Sequence, residues 1–472
     1  MRKGTIGVAF ISLVGVGAAV FLGTSVIGKK VSPGKKSPVG KATIERPNIL
    51  LISVDTLRAD HVRAYGYSRD TTPWMDYFAG NAFRFTNLVS ASSWTIPAHM
   101  SMLTGLYPSV HQTIHFTLKL DDKITTLAQV LKKNGYYTAG FASNFMLESR
   151  YGFGKGFDYY DDFTVTRATE NEKVEFARTA PLLNKVVLGW LKTNYRKRFF
   201  LFVHYFDPHY AYNPPPPYDT LFDPGYKGKV DGCHIETLKP NIARKDLKHV
   251  VSLYDGEIRY TDGYIGALLK ELETLGINEK TLIILTSDHG EEFFEHGGTR
   301  HGETLYNEAI RVPLIIKLPG SHKPAVINTL ASDVDLMPTI CDYVKATPPQ
   351  GMQGKSLLPA MNGTAEEERP YVFSEVTIDL FKTTEAIVSR DYKFICHLNT
   401  GTRELYNLAN DPGEKRNLIK VEQGKAVELE RELMKFVVSS GNLASVLRST
   451  GNNTVVHDEE TKKKLKSLGY MQ

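Results

Sequence analysis

The sequence predicts an α/β fold: a large, mainly parallel sheet flanked by helices, with a smaller C-terminal antiparallel α+β subdomain. Three observations predict it. The apolar runs at 49–54 (ILLISV), 199–205 (FFLFVHY) and 281–286 (TLIILT) lack the polar alternation of strands with one wet face, so both faces are expected to be covered. Segments of helical periodicity stand between these runs, the order found in βαβ units. After residue 365 the runs become short and alternating, as in antiparallel strands with one face on a core.

The chain has 472 residues, 42% hydrophobic and 23% charged, enough for one large domain and a small one. Residues 4–28 carry no charge and follow Arg2 and Lys3, a run long enough to span a bilayer as a helix. No clean small-residue cleavage site follows, so an uncleaved membrane anchor is the expectation and a cleaved signal segment the alternative. Lys29, Lys30, Lys35 and Lys36 beyond it outnumber Arg2 and Lys3, against the positive-inside pattern. Large domains translocate despite such charges, and the domain that follows is expected outside the cytoplasm, periplasmic or extracellular.

Residues 29–47, rich in Lys, Pro, Ser and Gly, read as a linker. Residues 1–47 hold eight Lys/Arg and one acid, a charge of +7, so residues 48–472 carry −2 of the chain's net +5. The basic balance belongs to the tail, where anionic lipid accounts for it, and gives no ground for nucleic-acid binding.

In chain order, the first strand at 49–54 ends at Asp55. A helix is expected at 125–134, stopped by Gly135, and a strand at 136–141. Residues 168–195 carry a mixed amphipathic helical pattern in which Pro181 marks a break or a new start. The strand at 199–205 leads into Asp207-Pro208-His209 and the stiff proline run 214–217. A helix at 247–275 precedes the strand at 281–286, which ends at Ser287-Asp288-His289-Gly290. Residues 48–364 form the large domain on this reading. Residues 365–472 form the small one, with strands at 372–375, 385–388 and 392–397 and a helix at 424–438. Cys233, Cys341 and Cys396 are odd in number and widely spaced, so they supply neither a disulfide framework nor a Cys-x-x-Cys metal motif. Burial as small apolar side chains is expected of them.

In open parallel sheets ligands bind beyond the carboxyl ends of the strands. Asp55, His209, Asp288 and His289 all stand just past such ends. Residues 94–105 (WTIPAHMSMLTG) read as a helix start, with Thr95 able to cap, Pro97 just inside and Gly105 as the stop. A hydroxyl there faces unsatisfied N–H groups and the positive end of the helix dipole, a place to hold an anionic tetrahedral group against a nucleophile. For an isolated Thr-x-Pro, capping alone would be the simpler role.

From about residue 46 to the C-terminus the chain resembles the sulfatase family of the alkaline-phosphatase superfamily. The resemblance rests on the order of several motifs: Asn48 to Asp55, Thr95-x-Pro97 with Leu103-Thr104-Gly105, and His204-x-x-x-Pro208-His209. Ser287-Asp288-His289-Gly290-Glu291, Arg311-Val312-Pro313-Leu314-Ile315, Asp335-Leu336-x-Pro338-Thr339 and Glu404-Leu405-Tyr406-Asn407-Leu408 extend it, followed by Asp411-Pro412 and the end at Leu465–Tyr470. The resemblance implies a metal-dependent enzyme acting on sulfate or phosphate esters through a covalent intermediate.

The departures from the family pattern carry the finer reading. Sulfatases begin their Cys/Ser-x-Pro-x-Arg motif with the residue that becomes formylglycine; here that position is Thr95, the arginine position is His99, and no formylglycine is expected. Thr95 is similar to the nucleophile of the phosphoethanolamine and lipoteichoic-acid transferase branch, which favours phosphoester chemistry, by hydrolysis or by transfer to an alcohol. The alternatives are a sulfatase acting on a sulfated glycan or aryl sulfate, and a membrane-tethered binding protein without turnover. A typical sulfatase binds calcium through Asp-Asp and Asp-Asn pairs, where this chain has Asp55-Thr56 and Asp288-His289. Imidazole in place of an oxygen donor moves preference towards Mn²⁺ or Zn²⁺, with Ca²⁺ or Mg²⁺ as alternatives. One divalent ion is expected at Asp55, Thr95, Asp288 and His289, where it would lower the Thr95 pKa and balance charge on the transferred group. His209 and His301 are the candidates for binding a nonbridging oxygen or protonating the leaving group.

The family's Gly-Lys-Trp-His segment is replaced by Gly140-Phe141-Ala142-Ser143-Asn144, so its lysine and histidine roles have no counterpart there. Arg58 and Asp60 are expected to pair locally. Tyr205, Phe206, Tyr210 and Tyr212 are expected to wall a pocket or to stiffen the core and loop. The expected partners are a small-molecule, glycan or lipid-headgroup ester and, through residues 4–28, a membrane.

Overall fold

A computed structural model describes residues 46–162, 166–168, 174–176, 178–320, 322–365, 369–378, 380–449, 453–459, 462 and 465. The anchor expected at 4–28 and all but the last two residues of the linker lie outside them. Among the described residues no helix is long and apolar enough to cross a membrane.

Eight strands form the main sheet: β1 (Asn48–Val54), β2 (Phe83–Val89), β3 (Tyr137–Phe141), β4 (Tyr159–Asp161), β5 (Phe199–Tyr205), β6 (Thr281–Ser287), β7 (Arg311–Lys317) and β8 (Ala325–Ser332). Their spatial order is β8-β2-β7-β6-β1-β5-β3-β4. All pairings are parallel except those of β7, which runs antiparallel to both β6 and β2. The continuous apolar runs now have their reason. Along β1, Ile49 and Leu51 enter the core on one face while Leu50, Ile52 and Val54 enter the core on the other. Strands β5 and β6 alternate in the same way, Phe200 and Phe202 against Phe199, Leu201 and Val203, and Leu282 and Ile284 against Ile283 and Leu285. Each fully buried aliphatic or aromatic side chain contributes about 1.5–3 kcal/mol, so the three central strands anchor the sheet.

Helix α1 (Thr95–Thr104) and α2 (Leu127–Lys133) cover the first face; α3 (Ala180–Asn194) and the long α4 (Arg244–Thr274) cover the second. Gly105 ends α1 in the left-handed region, φ 68°, its N–H bonded to the Ser101 carbonyl. Glycine takes that conformation without strain, so the expected stop is found. The helical reading of 168–195 holds only from residue 180. Thr166–Ala168 and Val174–Phe176 instead pair as an antiparallel ribbon. Pro181 lies in the first turn of α3 rather than breaking it, because its fixed φ suits that turn and its missing N–H loses no helix bond there; the extended residue is Thr179 at the cap.

The C-terminal region forms a second sheet, β9 (Val372–Ile378), β10 (Lys382–Val388), β11 (Tyr392–His397) and β12 (Thr402–Asn407), an antiparallel meander in that order. Helix α5 (Gln423–Leu447) packs on it through Ala426, Leu429, Leu433 and Phe436. The same cluster takes in Ala91, Tyr107 and Val334, so the described residues of the two sheets make one compact unit. Cys341 and Cys396 are buried as expected, while Cys233 is half-buried; all three are free thiols.

Register decides what meets at the site. Val54 pairs with Tyr205 of β5 and Ser287 of β6, and Phe141 pairs with Val203. Residues following these strands, Asp55, 142–144, 206–209 and Asp288, therefore leave the sheet at one edge. Because β7 is reversed, the connection 288–310 begins and ends at that same edge. All of it is available to the site.

Candidate active site and metal centre

Thr95 is not a cap. Trp94 occupies the N-cap position, and Thr95 is the first helical residue, its hydroxyl free of any capping bond. The Thr95 Oγ1 instead lies 3.3 Å from His289 Nε2. His289 donates from Nδ1 to the Gly290 carbonyl at 2.9 Å, which fixes the tautomer and leaves the Nε2 lone pair facing the site. The same Nε2 stands 3.5 Å from Asp55 Oδ1 and 3.3 Å from Asp288 Oδ2. Neither of those carboxylate oxygens has a hydrogen-bond partner, although both are fully buried. Donor atoms of Asp55, Asp288 and His289 all lie within 4.8 Å of one another.

These residues fit a divalent cation. Ligands about 2.0–2.2 Å from a tetrahedral metal stand roughly 3.4 Å apart, near the spacings of Thr95, Asp55 and Asp288 from the His289 nitrogen. The electrostatics agree. Burial raises Asp55, and burial with the neighbouring Asp55 charge pushes the Asp288 carboxyl up to about 7. Burial also holds the His99, His204, His209 and His289 imidazoles down at about 4, and His301 at about 3. Neutral imidazoles and crowded carboxylates together make a nest of lone pairs short of positive charge, which a cation completes.

His209 and His301 stand beside this group. The His301 ring centroid is 4.3 Å from that of His289 and 4.9 Å from that of His209. His209 stacks on Phe206 at 4.4 Å and donates from Nδ1 to the Tyr210 carbonyl, leaving its buried Nε2 without a hydrogen-bond partner. His301 donates from Nδ1 to Glu291 Oε1 at 2.9 Å. Tyr205 and Tyr212 are core residues, the former bonded through its hydroxyl to Asn184. Arg58 pairs with Asp60 as expected, and also reaches Glu295 and the Glu291 carbonyl. His296 is turned away to Glu308 and the Glu414 carbonyl.

Four residues at the site carried no assigned role in the sequence reading. His99, at the family's arginine position, donates to the Thr95 carbonyl at 2.9 Å, contacts Ser53 Oγ through Nε2, and lies 3.3 Å from Asp288 Oδ2. His204 lies 3.3 Å from Asp55 Oδ2, to which Asn144 donates at 3.1 Å. Glu291 orients His301. The usable signal was position: His204 is the last residue but one of β5 and pairs with Ser53 next to the end of β1, and Asn144 follows β3 by three residues.

Gly290 marks how tightly the Asp288-His289 turn is held. A Cβ there would stand 2.0 Å from the Glu308 carbonyl oxygen. Gly290→Ala is expected to cost about 2–3 kcal/mol, read as a lower urea midpoint, and to weaken metal binding by displacing His289.

A three-layer α/β sheet with two carboxylates, an imidazole and a hydroxyl clustered at its carboxyl edge defines a class, the metal-dependent hydrolases of sulfuric or phosphoric esters. The family model for sulfatases matches residues 47–346, and a model described as N-sulphoglucosamine sulphohydrolase, C-terminal, matches residues 295–439. The chain belongs to the sulfatase family. It is 25% identical over 460 residues to an arylsulfatase of Clostridium perfringens, covering 80% of this chain and 92% of that protein. The phosphonate monoester hydrolase of Agrobacterium radiobacter has a similar fold, with a TM-score of 0.71, 22% identity, and coverage of 84% of this chain and 96% of that one. A protein solved with its substrate D-glucosamine-2-N,6-O-disulfate has a TM-score of 0.70 at 19% identity, covering 85% and 98% of the two chains.

Proposed function

We propose that this sulfatase-family hydrolase acts on phosphoesters through a covalent Thr95 intermediate. One observation carries the reading: an uncapped, buried Thr95 hydroxyl 3.3 Å from the lone pair of His289, at the centre of the carboxylate cluster. Asp55, Asp288 and His289, with the Thr95 oxygen, would hold the cation, Mn²⁺ or Zn²⁺ by donor type. When bound, it lowers the pKa of the threonine hydroxyl and balances charge on the transferred group.

The Thr95 oxygen forms the bond to phosphorus as the bond to the leaving oxygen breaks; the proton that the Thr95 hydroxyl gives up passes to the neutral imidazole of His209 or His301 and from there to the leaving oxygen. Water, or an acceptor alcohol, then attacks phosphorus, the bond to Thr95 breaks, and the hydroxyl is restored. His99 ties the first turn of α1 to Ser53, and Glu291 holds the His301 tautomer, so nucleophile and proton donor keep their places. Threonine favours phosphorus over sulfur for a chemical reason. Formylglycine hydrate expels sulfate by eliminating through its second hydroxyl, and a threonine ester has no such hydroxyl.

A second reading, hydrolysis of a sulfuric ester on a glycan or aryl group, is supported by the likeness to the Clostridium perfringens arylsulfatase over 80% of the chain. A binding protein without turnover is disfavoured by the complete ligand set. We place the catalytic domain outside the cytoplasm, tethered by residues 4–28, with a glycan, small-molecule or lipid-headgroup ester as substrate.

The test is turnover of an aryl sulfate, a phosphate monoester and a phosphodiester by the purified protein with Mn²⁺, Zn²⁺, Ca²⁺ or no metal. Phosphoester turnover with Mn²⁺ or Zn²⁺ is expected to dominate. Faster turnover of the aryl sulfate would replace this reading with the second one.

A further inference from the structure

Four other largely buried arginines are matched. Arg58 pairs with Asp60 and Glu295, Arg178 with Asp161 and Arg369 with Asp335, while Arg311 bonds to the Thr86 carbonyl and Asn87. Arg300 differs. Among the described residues no carboxylate lies within ion-pair reach of its guanidinium, whose recorded contact is the Tyr210 ring, 5.8 Å from Cζ to centroid. It is half-buried, and it immediately precedes His301 on the ribbon Glu292–Phe293/Thr299–Arg300. Tyr210 follows His209, and the His209 and His301 rings lie 4.9 Å apart, so a guanidinium next to His301 and against the Tyr210 ring stands beside the site.

The backbone adds a second observation. Arg300 has φ 69°, in the left-handed region, as does Phe294 on the same loop, while positions 297 and 302 there are glycines. Glycine would suit position 300 without strain, and the chain carries a long cationic side chain there against backbone preference. An unmatched guanidinium against an aromatic ring is well suited to bidentate recognition of a carboxylate, sulfate or phosphate.

We propose that Arg300 reads a second negative charge on the substrate, so that the preferred esters carry a carboxylate, sulfate or phosphate group beside the reacting one. The inference rests on the reading of Thr95 and His289 as the reacting centre. An acidic glycan and an anionic lipid headgroup both supply that chemistry.

The experiment compares two aryl esters that differ only in a ring carboxylate or the matching carboxamide, each made as phosphate and as sulfate. Wild-type protein is expected to prefer the carboxylate. In Arg300→Gln the ratio of kcat/KM, carboxylate over carboxamide, is expected to fall about tenfold or more, the worth of one charge-assisted contact, and Arg300→Lys is expected to recover part of it. Using the variant-to-wild-type change in that ratio cancels the difference in leaving groups. Competition by a sulfated, carboxylate-bearing disaccharide or by phosphatidylglycerol vesicles identifies the source of the charge, and either competition should weaken in Arg300→Gln. An unchanged ratio would overturn the assignment of Arg300 while leaving the catalytic reading intact. No turnover of any of these esters would overturn both.

Discussion

Thr95→Ala is expected to lower phosphoester turnover by about ten-thousandfold or more, the scale of losing a covalent nucleophile. Metal binding should survive, because Asp55, Asp288 and His289 remain and the Thr95 hydroxyl is no helix cap whose loss would fray α1. Thr95→Ser keeps the hydroxyl and loses one methyl, so it should retain measurable activity. Two measurements separate the outcomes. Calorimetric titration with Mn²⁺ or Zn²⁺ should show saturable binding to Thr95→Ala, weakened by the loss of one neutral ligand and far less than in Asp288→Asn. Mass spectrometry of wild-type protein quenched during turnover of a slow substrate should show a phosphoryl increment on the peptide holding Thr95, absent from Thr95→Ala. Rapid turnover by Thr95→Ala would remove the covalent mechanism altogether.

Asp288→Asn is expected to reduce metal affinity further than the roughly 10–100-fold that loss of an outer hydrogen-bond partner costs, and to abolish activity with it. The argument is the orphaned Asp288 Oδ2, which faces His289 Nε2 at 3.3 Å while Oδ1 is already engaged by the Thr56 and His289 N–H groups. Asn144→Ala provides the graded control. It removes the bond to Asp55 Oδ2, the oxygen that faces Asn144 and His204, and should weaken binding only about 10–100-fold. Chelation followed by Mn²⁺ or Zn²⁺ should restore the wild type and Asn144→Ala, but Asp288→Asn only at far higher metal concentration. If Asp288→Asn binds metal like the wild type, the centre lies elsewhere.

How much of this was legible before folding depends on the range of the interaction that fixes each part. The central strands β1, β5 and β6 were read correctly because burial on both faces writes itself into consecutive residues. The ends of those strands placed Asp55, His209 and Asp288-His289 on one edge for the same local reason. Strand β7 escaped because Pro313 within it signals a non-strand, and the sheet accommodates that proline with a register shift between Val312 and Leu314. Strand β12 escaped because Thr402, Arg403 and Glu404 give an edge strand little apolar pattern.

The sequence by itself determined the fold class, the family and the residue types of the centre, since backbone propensity, hydrophobic period and motif order are properties of the chain. Tertiary structure decided the roles. Trp94 rather than Thr95 holds the cap position, a difference of one residue in helix phase that leaves the Thr95 hydroxyl without a capping bond. His99, His204, Asn144 and Glu291 became the supports of the site through contacts between residues 10 to 189 positions apart, which no local pattern encodes. Arg300 took its place because β7 turns back on β6 and keeps the whole connecting loop at the carboxyl edge. The sheet's register, set by the packing of both its faces, brought those groups to one point.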